Sequence, residues 1–75
     1  MIKIGKIYVC TTSGNLYKII RFYKQAEFVV LEYKLGYKLY WEINNASVSI
    51  QVLLAAIENK EIVELNETTR ILYAI

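Results

Sequence analysis

Seventy-five residues are enough for one domain, 1–75, and leave no room for a linker. A hydrophobic content of 56%, with 13% aromatics and no proline, excludes a disordered polypeptide. The net charge is only +2, there is no histidine or aspartate, and Cys10 is the sole cysteine. That inventory excludes a zinc site and the Ser-His-Asp and Cys-His nucleophiles.

A lone cysteine makes no internal disulfide, which predicts a reduced, cytoplasmic protein. No run approaches the roughly 18 apolar residues of a membrane span. Residues Met1 to Lys6 lack the apolar core of a signal peptide, so no membrane association is expected. Gly5, Gly14 and Gly36 stand apart and build no phosphate-binding loop. Glu58, Glu61, Glu64 and Glu67 form the one acidic cluster, which reads as a solvated face. The expectation is a protein that is not an enzyme and holds no cofactor and no metal. The abundance of Ile, Lys, Asn and Tyr suits an AT-rich genome, such as that of a phage or mobile element.

Along the chain, period-2 segments rich in Ile, Val, Tyr and Phe come first: Lys6–Thr12, Leu16–Lys24, Phe28–Tyr33 and Tyr37–Ile43. They predict a four-stranded antiparallel meander over 1–43. Gly14-Asn15 as a type II′ turn pairs Val9 with Ile20 and Ile7 with Phe22. Gln25-Ala26 as a short loop pairs Lys24 with Glu27 and Phe22 with Val29. In YKLGYKLYW (Tyr33 to Trp41), Lys34-Leu35-Gly36 fits a three-residue loop ending on a left-handed glycine. That loop pairs Tyr33 with Tyr37, Leu31 with Leu39, Val29 with Trp41, and Glu32 with Lys38.

These registers agree on one apolar face of Ile7, Val9, Ile20, Phe22, Val29, Leu31, Tyr33, Tyr37, Leu39, Trp41 and Ile43. The opposite face carries Tyr8, Tyr17, Ile19, Arg21, Tyr23, Phe28, Lys38 and Tyr40, with Lys6, Cys10, Val30 and Glu32. Beyond residue 46 the period changes. Ile50, Leu53, Leu54 and Ile57 form a helical stripe within a helix over 47–59. Ser47 or Ser49 caps its start, and Asn59-Lys60 closes it with a left-handed asparagine. Ile62–Leu65 and Arg70–Ile75 then read as a C-terminal β-hairpin, 62–75, across Asn66-Glu67-Thr68-Thr69.

The fold class is therefore small α+β. A meander followed by a helix resembles SH3-like and similar small barrels, a likeness that implies a fold and no function. If one helix covers the apolar face, the Tyr/Arg face is left as a candidate interaction surface: Tyr8, Tyr17, Ile19, Arg21, Tyr23, Phe28, Lys38 and Tyr40.

Charge is divided unevenly. Residues 1–41 hold seven Lys/Arg against two Glu, a net +5, and residues 42–75 hold two against five, a net −3. The leading expectation is a small non-enzymatic protein-interaction module, a regulator or inhibitor that binds a protein partner or itself as a homodimer. The alternative is a single-stranded nucleic-acid or RNA-binding module that uses the same basic aromatic face. Only two arginines and no ribonucleoprotein-type aromatic motif weigh against it.

Overall fold

The computed structural model describes residues 2–73. Five strands and two helices follow in the order β1 (Ile7–Cys10), β2 (Leu16–Tyr23), β3 (Phe28–Lys34), β4 (Ala46–Ser49), α1 (Ile50–Glu58), β5 (Ile62–Glu64) and α2 (Glu67–Leu72). The strands form one antiparallel sheet in the order β4-β3-β2-β1-β5. The chain is thus a small α+β domain with an open sheet, and the SH3-like closure is not found.

The first three strands are the expected meander, but their pairing turns on one residue. At the hairpin end Phe22 pairs with Val29 and Tyr23 with Phe28, as the Gln25-Ala26 turn predicts. Ile19 then pairs with Leu31 and Arg21 with Val30, so Ile20 is an extra, unpaired residue in a β-bulge. A one-residue slip sends every following side chain to the other face. Ile19 and Tyr17 therefore turn to the face where Val29 and Leu31 already lie. Tyr8 pairs with Tyr17 and follows them.

The first turn departs from expectation too. Cys10 donates its amide to the Asn15 carbonyl at 2.8 Å, so the loop is Thr11 to Gly14 rather than Gly14-Asn15. Gly14 closes it at φ 76°, and Val9 pairs with Leu16, not with Ile20.

The fourth strand is not Tyr37–Ile43. Gly36 is not left-handed; only Gly5 and Gly14 among the described glycines have positive φ. Gly36 serves a close approach instead. A Cβ there would collide with the Ser13 carbonyl oxygen, and the Gly36 amide donates to Asn15 Oδ1 at 2.8 Å. The chain from 35 to 45 becomes a loop packed on the β1–β2 turn. β4 replaces the expected strand and pairs Leu31 with Ala46 and Val29 with Val48.

α1 starts one residue after Ser49, whose hydroxyl accepts the Gln51 amide at 3.2 Å. Its end is a Schellman turn: the Glu61 amide donates to the Ala56 carbonyl and the Lys60 amide to that of Ile57. The left-handed residue is Lys60 (φ 61°), not Asn59 (φ −81°). α1 leaves the β4 edge, lays Leu53 over the face that carries Val29 and Leu31, and delivers the chain to β5 at the opposite edge. Leu53 closes a core of Tyr8, Ile19, Val29, Leu31 and Ile62.

The C-terminal hairpin is corrected to a strand and a helix, with 74 and 75 outside the described residues. β5 extends the same sheet beside β1. Asn66 then starts a helix rather than a turn, because its side chain accepts the Thr69 amide at 3.0 Å while Thr69 Oγ1 accepts the Asn66 amide at 2.7 Å. This reciprocal capping box satisfies two amides that a hairpin would leave to water.

Two stability outcomes follow from this arrangement. Ile19→Ala should cost about 2–5 kcal/mol in urea unfolding, and Ile20→Ala clearly less, since Ile19 is fully buried and Ile20 half-buried. Equal losses would contradict the bulge. Gly36→Ala should cost roughly 1–3 kcal/mol, because the Ser13–Gly14 backbone it meets must move.

Candidate functional site

The eight residues of the expected Tyr/Arg surface occupy three separate places. Tyr8 (4% exposed) and Ile19 (fully buried) lie in the core beneath α1, with Tyr17 half-buried against them. They are not part of an open face, because the bulge and the β1–β2 register turn them inward. Burial pushes the Tyr8 hydroxyl above its usual pKa, with Lys6 opposing the shift and Glu64 adding to it. The Tyr17 hydroxyl accepts Asn15 Nδ2 at 3.3 Å.

Arg21, Tyr23 and Phe28 stay together on the face away from α1, at the β2–β3 hairpin. Tyr23 and Phe28 stack there with ring centroids 4.8 Å apart and 24° between planes. That spacing is typical of an offset stack.

Lys38 and Tyr40 belong to the 35–45 loop at the other end of the sheet. Lys38 Nζ lies 2.9 Å from Glu42 Oε2, and 5.2 Å and 5.9 Å from the ring centroids of Tyr40 and Tyr37. Glu42, and then Tyr40, hold the Lys38 ammonium above the ordinary lysine pKa. The Lys38 amide donates to the Leu35 carbonyl at 3.0 Å, and the Glu42 amide to that of Tyr33 at 2.8 Å. The loop therefore has a fixed course: Gly36 anchors one end, Glu42 the other, and the Lys38–Glu42 pair ties them across.

That course turns apolar side chains outward. Tyr37 is 82% exposed, Leu39 98%, Tyr40 59% and Ile43 96%, with Trp41 partly covered. Four of these five, all but Tyr40, were expected in the core. Alternation within YKLGYKLYW is as compatible with a hairpin as with this loop. Lys38 and Glu42, four apart and opposite in charge, are the one local sign of the observed closure.

Two clefts lie elsewhere among the described residues. One, of about 430 Å³, lies between the N-terminal segment and α2 and is lined by Lys3, Lys6, Glu64 and Arg70. Lys6 is already held by Glu64 at 3.4 Å. The second, about 370 Å³ and mainly apolar, runs under α1 between Tyr17, Leu31, Val48 and Val52, with Cys10 at its border. Hydrogen bonds from the Ser13 and then the Thr12 hydroxyl lower the Cys10 thiol to about 7, against the opposing effect of burial. The Sγ to Thr12 Oγ1 distance is 3.4 Å.

Among the described residues no helix is long and apolar enough to cross a membrane. No group of three or more His, Cys, Asp or Glu among them could hold a metal ion. No protein-family model, no curated protein and no solved structure matches the chain.

The thiol makes a direct prediction. Its iodoacetamide alkylation rate should rise with pH through a midpoint near 7, because the thiolate is the nucleophile. Ser13→Ala should move that midpoint upward, toward the ordinary value of about 8.5. A midpoint unchanged by the substitution would remove Ser13 as the cause.

Proposed function

We propose that the protein is a small non-enzymatic interaction module, a regulator or inhibitor that binds a partner protein through the 37–43 loop. The observation that carries this reading is the exposure of Tyr37, Leu39, Tyr40 and Ile43 on a loop braced at both ends. Each large apolar side chain left in water forgoes about 1.5–3 kcal/mol of burial. A cluster of them rimmed by polar groups is the usual mark of a protein-binding surface. Bracing adds to the argument, since a loop already ordered loses less entropy on binding. Tyr and Trp are also the residue types that dominate interface hot spots.

The nucleic-acid reading is less well supported. Phosphate contacts would draw on Lys6, Arg21 and Lys38, but Glu64 and Glu42 already neutralise two of these. Arg21 lies at the β2–β3 hairpin, at the far end of the sheet from the aromatic loop.

The test is capture from a lysate of cells that express the protein, before and after nuclease treatment, with Leu39→Ser/Ile43→Ser as the comparison. Both positions are almost fully exposed, so the double variant should keep the wild-type melting temperature. Partners retained after nuclease and lost, at least about tenfold, in the double variant would support the reading. Capture that vanishes with nuclease, or ignores both substitutions, would overturn it.

A further inference from the structure

The open sheet has two free edges, and they differ. At β5 the Glu64 carbonyl already accepts Thr69 Oγ1 at 2.8 Å. At β4 the backbone is vacant. The Ile50 amide donates to the Glu27 carbonyl at 3.0 Å, continuing the β3–β4 ladder. Backbone groups alternate sides along an antiparallel strand. Those of Ala46 and Val48 therefore point to β3, and those of Ser47, with the Ser49 amide, point outward. Among the described residues no strand pairs with that outward row.

Native edges are usually guarded by a charge, a proline or a bulge. β4 is short, at four residues, but carries none of these three. From Ile43 to Ile57 the chain carries no Lys, Arg or Glu, its longest uncharged stretch, although 21% of the whole is charged. Apolar groups flank the row on both sides: Ile43 before it is 96% exposed and Val52 after it 58%.

We propose that β4 pairs with β4 of a second copy of this chain, antiparallel about a two-fold axis at Ser47. The two open sheets then become one. The two-fold gives identical strands the antiparallel orientation, and it places Ser47 opposite Ser47 of the second copy and Ser49 opposite its Asn45. The Ser47 amide and carbonyl satisfy each other across the axis, and the Ser49 amide reaches the facing Asn45 carbonyl. The Ser49 carbonyl needs no partner, since an N-cap carbonyl accepts the first bond of its own helix. Charge selects the occupant. An isologous contact sets each residue near its own copy, so like charges would oppose it, and this edge has none. The proposal shares only Ile43 with the 37–43 loop and does not require that loop to bind a partner.

Sedimentation equilibrium of the full chain up to about 1 mM tests it, together with amide hydrogen exchange at Ser47 and Ser49. The expected result is a dimer with Kd tighter than about 1 mM, with both amides exchanging more slowly as concentration rises. Ser47→Lys and Val52→Glu each place a charge at the seam and should weaken the dimer at least about tenfold with unchanged far-UV circular dichroism. Should Ser47→Lys fail to fold, Val52→Glu decides, because its side chain already stands in solvent on α1. A wild type that stays monomeric throughout overturns the proposal, including a monomer whose Ser47 amide is protected only when a captured foreign protein is added. A dimer that survives Val52→Glu with unprotected Ser47 and Ser49 amides overturns it too and moves self-association elsewhere.

Discussion

The extra residue Ile20 in β2 decides what the rest of this small sheet can do. Without the bulge, Ile20 would face Leu31, and Ile19 would point away from the core. With it, Ile19 becomes fully buried and carries Tyr17, and through the β1–β2 pairing Tyr8, onto the face that carries Val29 and Leu31. A bulge also strengthens local twist and bends the strand. That bend suits a sheet whose two edges are linked by the nine residues of α1. Leu53 then needs only to close that face of the sheet. The bulge thus accounts for both the identity of the core and the adequacy of one short helix.

Gly36 acts as a second constraint at the other end of the sheet. By meeting the Ser13–Gly14 backbone it holds the chain against the β1–β2 turn, where a strand cannot continue alongside β3. The apolar residues of 37–43 are then excluded from a core already filled from β1, β2, β3, α1 and β5. A 75-residue chain has little interior to offer, and surplus apolar side chains must stay on its surface or meet another molecule. The same economy leaves β4 at an edge with nothing beyond it.

Charge is used inside the molecule as well as shown to solvent. Both ion pairs join the basic first part of the chain to the acidic remainder: Lys6 with Glu64 and Lys38 with Glu42. Surface pairs of this kind contribute little to stability. Their effect here is positional. Lys6–Glu64 lies where β5 joins β1, and Lys38–Glu42 ties the aromatic loop. The polarity along the sequence is therefore partly consumed by folding, which leaves less of it for an external anion.

The sequence by itself determined the α+β class, the first three strands of the meander, a helix capped at Ser47 or Ser49, and the hairpin register at Phe22–Val29. Each depends on local periodicity or on one turn, and neighbouring residues suffice to specify both. It also named Val29, Leu31 and Leu53 as apolar positions that face a core or a helix seam. Only the tertiary structure decided the rest. The bulge at Ile20 leaves no local mark, since Lys18-Ile19-Ile20-Arg21 offers two equivalent isoleucines and the choice depends on what β1 and α1 present. Gly36 reads alike as a turn residue or a close-contact residue, and only the approach of Ser13 from 23 positions away distinguishes them. The exposed aromatic surface moved for that reason: whether Tyr8 or Tyr37 meets solvent depends on long-range packing, which alternation along a strand does not record.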